Sequence, residues 1–192
     1  MSRFLGERYQ ALEAYTPGEQ PRDMRYIKLN TNESPYPPAP EVTAAMNREQ
    51  VELLRLYSDP TAGGLKRKLA ELYGVKSENI FVSNGSDEVL NFAFMAFGGN
   101  GAAFPDISYG FYEVFADLYG IPAEKVPLEA DFSIDYRKYC GKNKMVVIAN
   151  PNAPTGMTIP VSRIEEILKT NPNSLVLIDE AYVDFGGKAA CR

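Results

Sequence analysis
The sequence predicts an α/β fold: a mostly parallel sheet with flanking helices, preceded by a Pro-rich N-terminal arm. Three observations predict it. Short, wholly apolar runs such as Met145-Val146-Val147-Ile148 have the pattern of strands buried on both faces. From residue 60 onward these runs alternate with segments of helical spacing, as parallel strands joined by helical crossovers do. Pro17, Pro21, Pro35, Pro37, Pro38 and Pro40 exclude a long helix from the first forty residues. The chain therefore divides into an arm, residues 1–40, and a sheet-bearing domain, residues 41–192.

The elements follow in order. The arm has a short helix before Tyr15 and is otherwise irregular. Tyr26, Ile27, Leu29 and Tyr36 are unusual in a segment that packs on nothing. After Asp59-Pro60, Leu65, Leu69, Leu72 and Tyr73 recur at helical spacing, and Gly74 stops the helix. Ile80, Phe81 and Val82 form a strand that runs into Asn84-Gly85-Ser86-Asp87-Glu88 and a helix carrying Leu90, Phe94 and Phe97. Residues 101–105 form a weak strand, and residues 109–119 a helix with Val114, Phe115 and Leu118 inward. Val126 lies in a short strand, and the run at residues 145–148 is a strong one that ends at Asn150-Pro151. Ser162-Arg163-Ile164-Glu165 has capping-box spacing and opens a helix through Lys169. The last strand spans residues 175–178.

Composition narrows the function. A net charge of -5 argues against nucleic acid as a partner, because neutralising phosphates needs excess Lys and Arg. With no histidine, His-based zinc sites and Ser-His or Cys-His catalysis are excluded. Cys140 and Cys191 match no metal spacing and read as reduced thiols of a cytoplasmic protein. The polar N-terminus lacks a signal-peptide core, and no stretch is long and apolar enough to span a membrane.

Four places could carry chemistry. At Asn84-Gly85-Ser86-Asp87 a strand, a small-residue turn and a helix start offer free N–H groups and the Ser86 hydroxyl to a phosphate, or simply cap the helix. At Asn150-Pro151-Asn152-Ala153-Pro154-Thr155-Gly156 a rigid turn sets two amides where a buried strand ends, for a ligand or only as a loop. Tyr109, in a loop at a strand end, could stack on a planar ligand or belong to the core. Asp179 ends the apolar run Val176-Leu177-Ile178, so its carboxylate sits in a partly dry place and needs a cationic partner. With Tyr182, it either joins a structural network or holds a heterocycle nitrogen protonated. Two unit charges ~4 Å apart are worth on the order of 4 kcal/mol at an intermediate dielectric.

In this order, the phosphate turn, the stacking tyrosine, the asparagine loop and Asp179 with Tyr182 resemble the fold-type-I pyridoxal-phosphate enzymes, the class I/II aminotransferases. Residues 15–21 (YTPGEQP), 29–38 (LNTNESPYPP) and 57–60 (YSDP) are similar to the histidinol-phosphate aminotransferase family within that class. The resemblance covers nearly the whole chain. It implies the large domain of that fold in truncated form and pyridoxal 5'-phosphate as cofactor. Gly85, Ser86 and Asp87 would hold the phosphate and Tyr109 would stack on the ring. Asp179 would pair with the ring nitrogen, and Tyr182 with Asn152 would hydrogen-bond the ring hydroxyl. Tyr57 would reach the phosphate of the partner subunit in a homodimer, and Asn32 would lie near the substrate entrance. The implied reaction moves an amino group between glutamate, as donor, and imidazole acetol phosphate, a phosphorylated keto acceptor, in histidine biosynthesis.

Two departures accompany the resemblance. Ala153 stands where many relatives carry asparagine before Pro-Thr-Gly, which leaves the ring contact to Asn152. The lysine that bonds covalently to the cofactor would lie one strand and a connection beyond Tyr182, and the chain stops at Arg192 before reaching it. Lys188 follows too closely to be that residue. Expected, then, are a chain inactive alone and a sheet lacking two strands between the Gly85 turn and Asp179, a separation of ~14 Å. A phospho-amino-acid decarboxylase of the same fold would share these motifs. A non-catalytic domain binding a phosphorylated ligand is the reading from another class. A dinucleotide site at Gly85 lacks the required glycine spacing.

Overall fold
The computed structural model describes residues 6, 9, 10, 12, 19, 21, 23, 24, 26–186, 188 and 190. The short helix expected before Tyr15 falls largely outside them, as do residues 15–18 of the first family-like stretch, and so does Cys191. The chain forms two units, Glu13–Leu65 and, separately, Met1–Leu12 with Lys66–Arg192.

In the first unit, α1 (Pro40–Ala45) starts on a proline at its first position, where no intrahelical N–H is needed. α2 (Arg48–Leu53) is capped by Asn47, whose side chain accepts from the Gln50 N–H at 3.0 Å. The aromatic and apolar residues of the arm do not find a core within this unit: Ile27 and Leu29 are each 90% exposed. Asp59 accepts from the Thr61 and Gly63 N–H groups at 2.9 and 2.8 Å and so organises the start of α3 (Gly63–Tyr73). Ala70 is the buried residue of α3, whereas Leu65 and Leu72 are exposed, so the sequence pattern gave the helix but not its inward face.

The second unit is built on four parallel strands in the order β2-β1-β3-β4: β1 (Ala102–Pro105), β2 (Ala123–Val126), β3 (Met145–Ala149) and β4 (Val176–Asp179). Helices α4 (Ser86–Phe97) and α5 (Phe111–Tyr119) pack on one face. Helix α6 (Val161–Thr170) packs on the other. Alternation along β3 divides its side chains between two cores. Met145, Val147 and Ala149 join Leu90, Phe94, Phe104, Tyr112 and Phe115, while Val146 and Ile148 join Ile134, Ile164 and Ile167. Each fully buried side chain of this kind contributes about 1.5–3 kcal/mol relative to exposure.

From β1 the chain moves by α5 to β2 on one side, and from β3 by α6 to β4 on the other. The loops leaving β1 and β3 therefore part above the sheet's C-terminal edge, where open α/β sheets bind ligands. Asn150 fixes the second loop. It is buried, its amide donates to the Ile159 carbonyl at 3.2 Å and it accepts from the Ile159 N–H at 2.9 Å.

Two expected features are absent. Ile80, Phe81 and Val82 form no strand: Ile80 is extended (φ -101°, ψ 123°), but no described strand pairs with this segment and Phe81 is 65% exposed. An apolar run supplies the backbone preference; a ladder needs a neighbour. The capping box at Ser162 is absent too, because α6 begins two residues earlier than that box requires, with Pro160 as its N-cap and no side-chain cap.

Phe94, with its ring centroid 5.8–6.5 Å from those of Phe104, Tyr112 and Phe115, is fully buried at the centre of the α4–α5 core. Phe94→Ala should destabilise the sheet-bearing unit by about 3–5 kcal/mol, read as a lower urea midpoint at unchanged slope.

Candidate functional site
A cavity of about 120 Å³ opens at the C-terminal edge of the sheet. Ser86, Tyr109, Ala149, Pro151, Ala153, Asp179, Ala181 and Tyr182 line it. The structure thus brings together four residues chosen from the sequence, Ser86, Tyr109, Asp179 and Tyr182, from three separate segments of the chain.

The sheet places Asp179. β3 and β4 pair in register through Ala149 and Asp179, and the Asn150 N–H donates to the Asp179 carbonyl at 2.8 Å, so the ladder continues to the cavity wall. The side chain is half-buried. One carboxylate oxygen, Oδ2, accepts from the Tyr112 hydroxyl at 2.8 Å; the other, Oδ1, accepts from the Ala181 N–H at 3.2 Å. The sequence left the partner of this carboxylate open between a structural network and a cation brought by a ligand. Among the described residues no lysine or arginine forms an ion pair with Asp179. Two neutral donors, the Tyr112 hydroxyl and the Ala181 N–H, support the carboxylate at the cavity wall.

The α4 N-terminus places Ser86. Gly85 precedes the helix at φ 86°, ψ 170°, a conformation essentially reserved for glycine, and gives no side-chain cap. A β-carbon there would meet no other atom within 4 Å, so backbone conformation rather than space demands glycine. Behind the turn, Glu88 accepts from the Ser83 hydroxyl and from the Asn84 N–H at 3.1 Å; the first of these, then the second, lowers its carboxyl below the usual range. This bracing leaves the leading N–H groups of α4 and the Ser86 hydroxyl beside the cavity, a suitable arrangement for an anion. Asp87 is not in the lining; its carboxylate accepts from the Tyr109 hydroxyl at 2.9 Å and fixes the tilt of that ring. Phe111, stacked at 5.6 Å, supports the Tyr109 ring.

Asn152 stands elsewhere. It is buried, its amide donates to the Ile107 carbonyl at 3.0 Å and to Thr155 Oγ1 at 3.1 Å, and its oxygen accepts from the Ser108 hydroxyl at 2.7 Å. One amide hydrogen reaches across to the loop after β1 and the other closes Asn152's own loop on Thr155, while Ala153 lines the cavity in its place. Asn32 and Tyr57 belong to the Glu13–Leu65 unit. Asn32 is exposed, with φ 52°, and Tyr57 is fully exposed.

Sequence reasoning missed Tyr112. It is 0% exposed, and burial first, then the Asp179 carboxylate, push its ionisation far above the ordinary tyrosine range. Helical spacing from Tyr109 could have pointed to it, but α5 begins only at Phe111, so Tyr109 lies before the helix and Tyr112 within it.

Beside the cavity a second, apolar trough of about 350 Å³ separates α4 from β4, with Val89, Leu90, Leu177 and Ile178 among its walls. This is where the family resemblance expected open space, although Ser86 and Asp179 border both hollows. Among the described residues no group of three or more Cys, Asp or Glu could hold a metal ion, and no helix is long and apolar enough to cross a membrane.

A parallel sheet whose C-terminal edge gathers a helix start, a supported aromatic face and a carboxylate around one cavity is the architecture of a ligand-binding α/β domain. Residues 25–191 match the family described as aminotransferase class I and II, and the chain belongs to that family. It is 51% identical over 194 residues to the histidinol-phosphate aminotransferase of Clostridium acetobutylicum, covering 100% of this chain and 55% of that protein. It is 52% identical over 195 residues to that of a Marinomonas species, covering 99% and 55%. The crystal structure of histidinol-phosphate aminotransferase from Sinorhizobium meliloti in complex with pyridoxal-5'-phosphate superposes with a TM-score of 0.72 at 26% identity, over 80% of this chain and 44% of that one. The chain spans about half the length of the curated relatives it matches.

Tyr112 makes stability sensitive to alkali. Its folded ionisation is raised, so its contribution is complete below the unfolded tyrosine value and declines as pH rises from about 10 toward the folded value. Urea melts from about pH 8 to about pH 11 should show a falling midpoint above pH 10, and Tyr112→Phe should flatten that fall.

Proposed function
We propose that this chain forms the cofactor cradle of a histidinol-phosphate aminotransferase and binds pyridoxal 5'-phosphate in the Asp179 cavity. The carrying observation is the Asp179 carboxylate, oriented by two donors at the cavity wall without an ion-pair partner among the described residues. When bound, the cofactor supplies an electron sink for charge that develops on the amino acid's α-carbon. The chain's residues would do the rest. Asp179 keeps the ring nitrogen protonated, the Ser86 hydroxyl and the leading α4 N–H groups grip the phosphate, Tyr109 covers one ring face, and Tyr182 meets the ring hydroxyl. With Asn152 engaged between loops, Tyr182 is left as the candidate for that last contact.

The proposed reaction transfers an amino group between glutamate and imidazole acetol phosphate in a homodimer, with exposed Tyr57 reaching the partner subunit's phosphate site and Asn32 near the substrate entrance. The high identity to proteins of that name supports this substrate pair. The resemblance puts the covalent lysine beyond Tyr182, where these 192 residues hold only Lys188. We therefore propose that they bind the cofactor without turnover.

Titration with pyridoxal 5'-phosphate, followed by tyrosine fluorescence, should show one saturable site, and Asp179→Asn should weaken it about 10–100-fold, the equivalent of about 1.4–2.7 kcal/mol. Equal affinity in the variant would overturn the reading. Borohydride reduction of the mixture should give no stoichiometric lysine adduct. A single full adduct with measurable amino transfer would show that these residues carry catalysis themselves.

A further inference from the structure
The Tyr112 hydroxyl reaches Asp179, a cavity-lining residue, from a ring that is not itself part of the lining. Tyr112 is the second residue of α5, fully buried, and absent from the cavity lining. Its ring is fixed from three directions: Phe94 stacks at 6.5 Å, Phe104 lies tilted at 5.9 Å, and Tyr109 meets it edge-on at 5.6 Å. Ring and hydroxyl are thus fixed before any ligand enters. The hydroxyl donates to Asp179 Oδ2 at 2.8 Å, while the Ala181 N–H reaches Oδ1. One donor on each oxygen fixes the rotation of the carboxylate plane, which a single contact would leave free. Since burial and the neighbouring charge keep Tyr112 protonated well past neutrality, this donor does not change over the working pH range.

We propose that Tyr112 is a positioning residue, which holds the Asp179 carboxylate in the orientation that pairs with a protonated ring nitrogen. This rests on the cofactor reading above. The role follows from geometry: without the hydroxyl, Asp179 keeps one main-chain donor and can turn toward any water or ligand hydroxyl in the cavity. The site would then grip the phosphate and cover the ring as before, but distinguish a ring nitrogen poorly from a ring carbon. The aromatic contacts around Tyr112 persist in Tyr112→Phe, so packing and orientation can be separated.

The test is a ratio. Pyridoxine 5'-phosphate and its analogue with CH in place of the ring nitrogen differ only where Asp179 acts, and neither forms a covalent adduct with lysine. The unmutated chain should prefer the pyridine by about 30-fold, Asp179→Asn should bring the ratio near one, and Tyr112→Phe should cut it about tenfold while leaving affinity for the carbon analogue within about twofold. A merely structural role would lower both affinities together and leave the ratio intact, which would overturn the proposal. A ratio near one in the unmutated chain would overturn the cofactor reading and the positioning role with it. If Tyr112→Phe fails to fold, the unmutated chain still decides. The Cζ resonance of ¹³C-labelled Tyr112 should shift when the pyridine binds and stay put when the carbon analogue binds; identical responses would sink the idea.

Discussion
The site depends on how a carboxylate is kept ready at the end of a buried strand. Asp179 is joined to β3 through its own carbonyl, which accepts from the Asn150 N–H, and through the register that pairs it with Ala149. Its side chain rests on the Tyr112 hydroxyl and the Ala181 N–H. Neutral donors support an ion without cancelling it. A native lysine or arginine in the same position would satisfy the charge internally and remove its attraction for a cationic ligand. The cavity therefore carries negative charge at one wall and the positive end of a helix dipole at another, a polarity that suits a molecule with a protonated ring at one end and a phosphate at the other.

The rest of the second unit serves that polarity. β3, buried along its whole length, separates two cores and delivers Ala149 and Asn150 to the cavity rim. Asn150 ties its loop to Ile159, and Asn152 ties the same loop to the one that leaves β1. Both are buried amides; Asn150 bonds main chain only and Asn152 bonds one carbonyl and two hydroxyls, so each fixes a loop as a ladder fixes a strand. Tyr109 links the two sides, its hydroxyl on Asp87 at the start of α4 and its ring edge-on to Tyr112.

How much of this the sequence disclosed depends on what each signal encodes. The apolar run of β3 and the polar residues after it gave the strand and the place of the site, because burial on both faces leaves no alternation to misread. Ser86 and Asp179 were legible because they stand at the ends of elements, and Tyr109 and Tyr182 because they are aromatic residues in the loops that follow strands. Tyr112 was not: α5 has aromatic or aliphatic residues at most positions, so no phase of a nine-residue helix stands out, and Val114 and Leu118 competed with it for the inward face. The segment at Ile80, Phe81 and Val82 misled for another reason, since strand pattern records a preference and not whether a partner lies alongside. Asn152 showed a chemistry but not a direction; its amide could as well have served the ligand as the loops.

Among the described residues β4 is an edge strand, the apolar trough bordered by Val89 and Leu177 lies beside it, and α4 exposes Phe92, Met95 and Phe97. Unpaired main-chain groups next to bare hydrocarbon make a sticky flank on which molecules can adhere to one another. The force that opposes this is mutual repulsion from a net charge of -5, which reaches only about 8 Å at physiological ionic strength. Association and ligand binding thus draw on different parts of the same sheet, and added salt, which hardly touches the dry interior, weakens that repulsion.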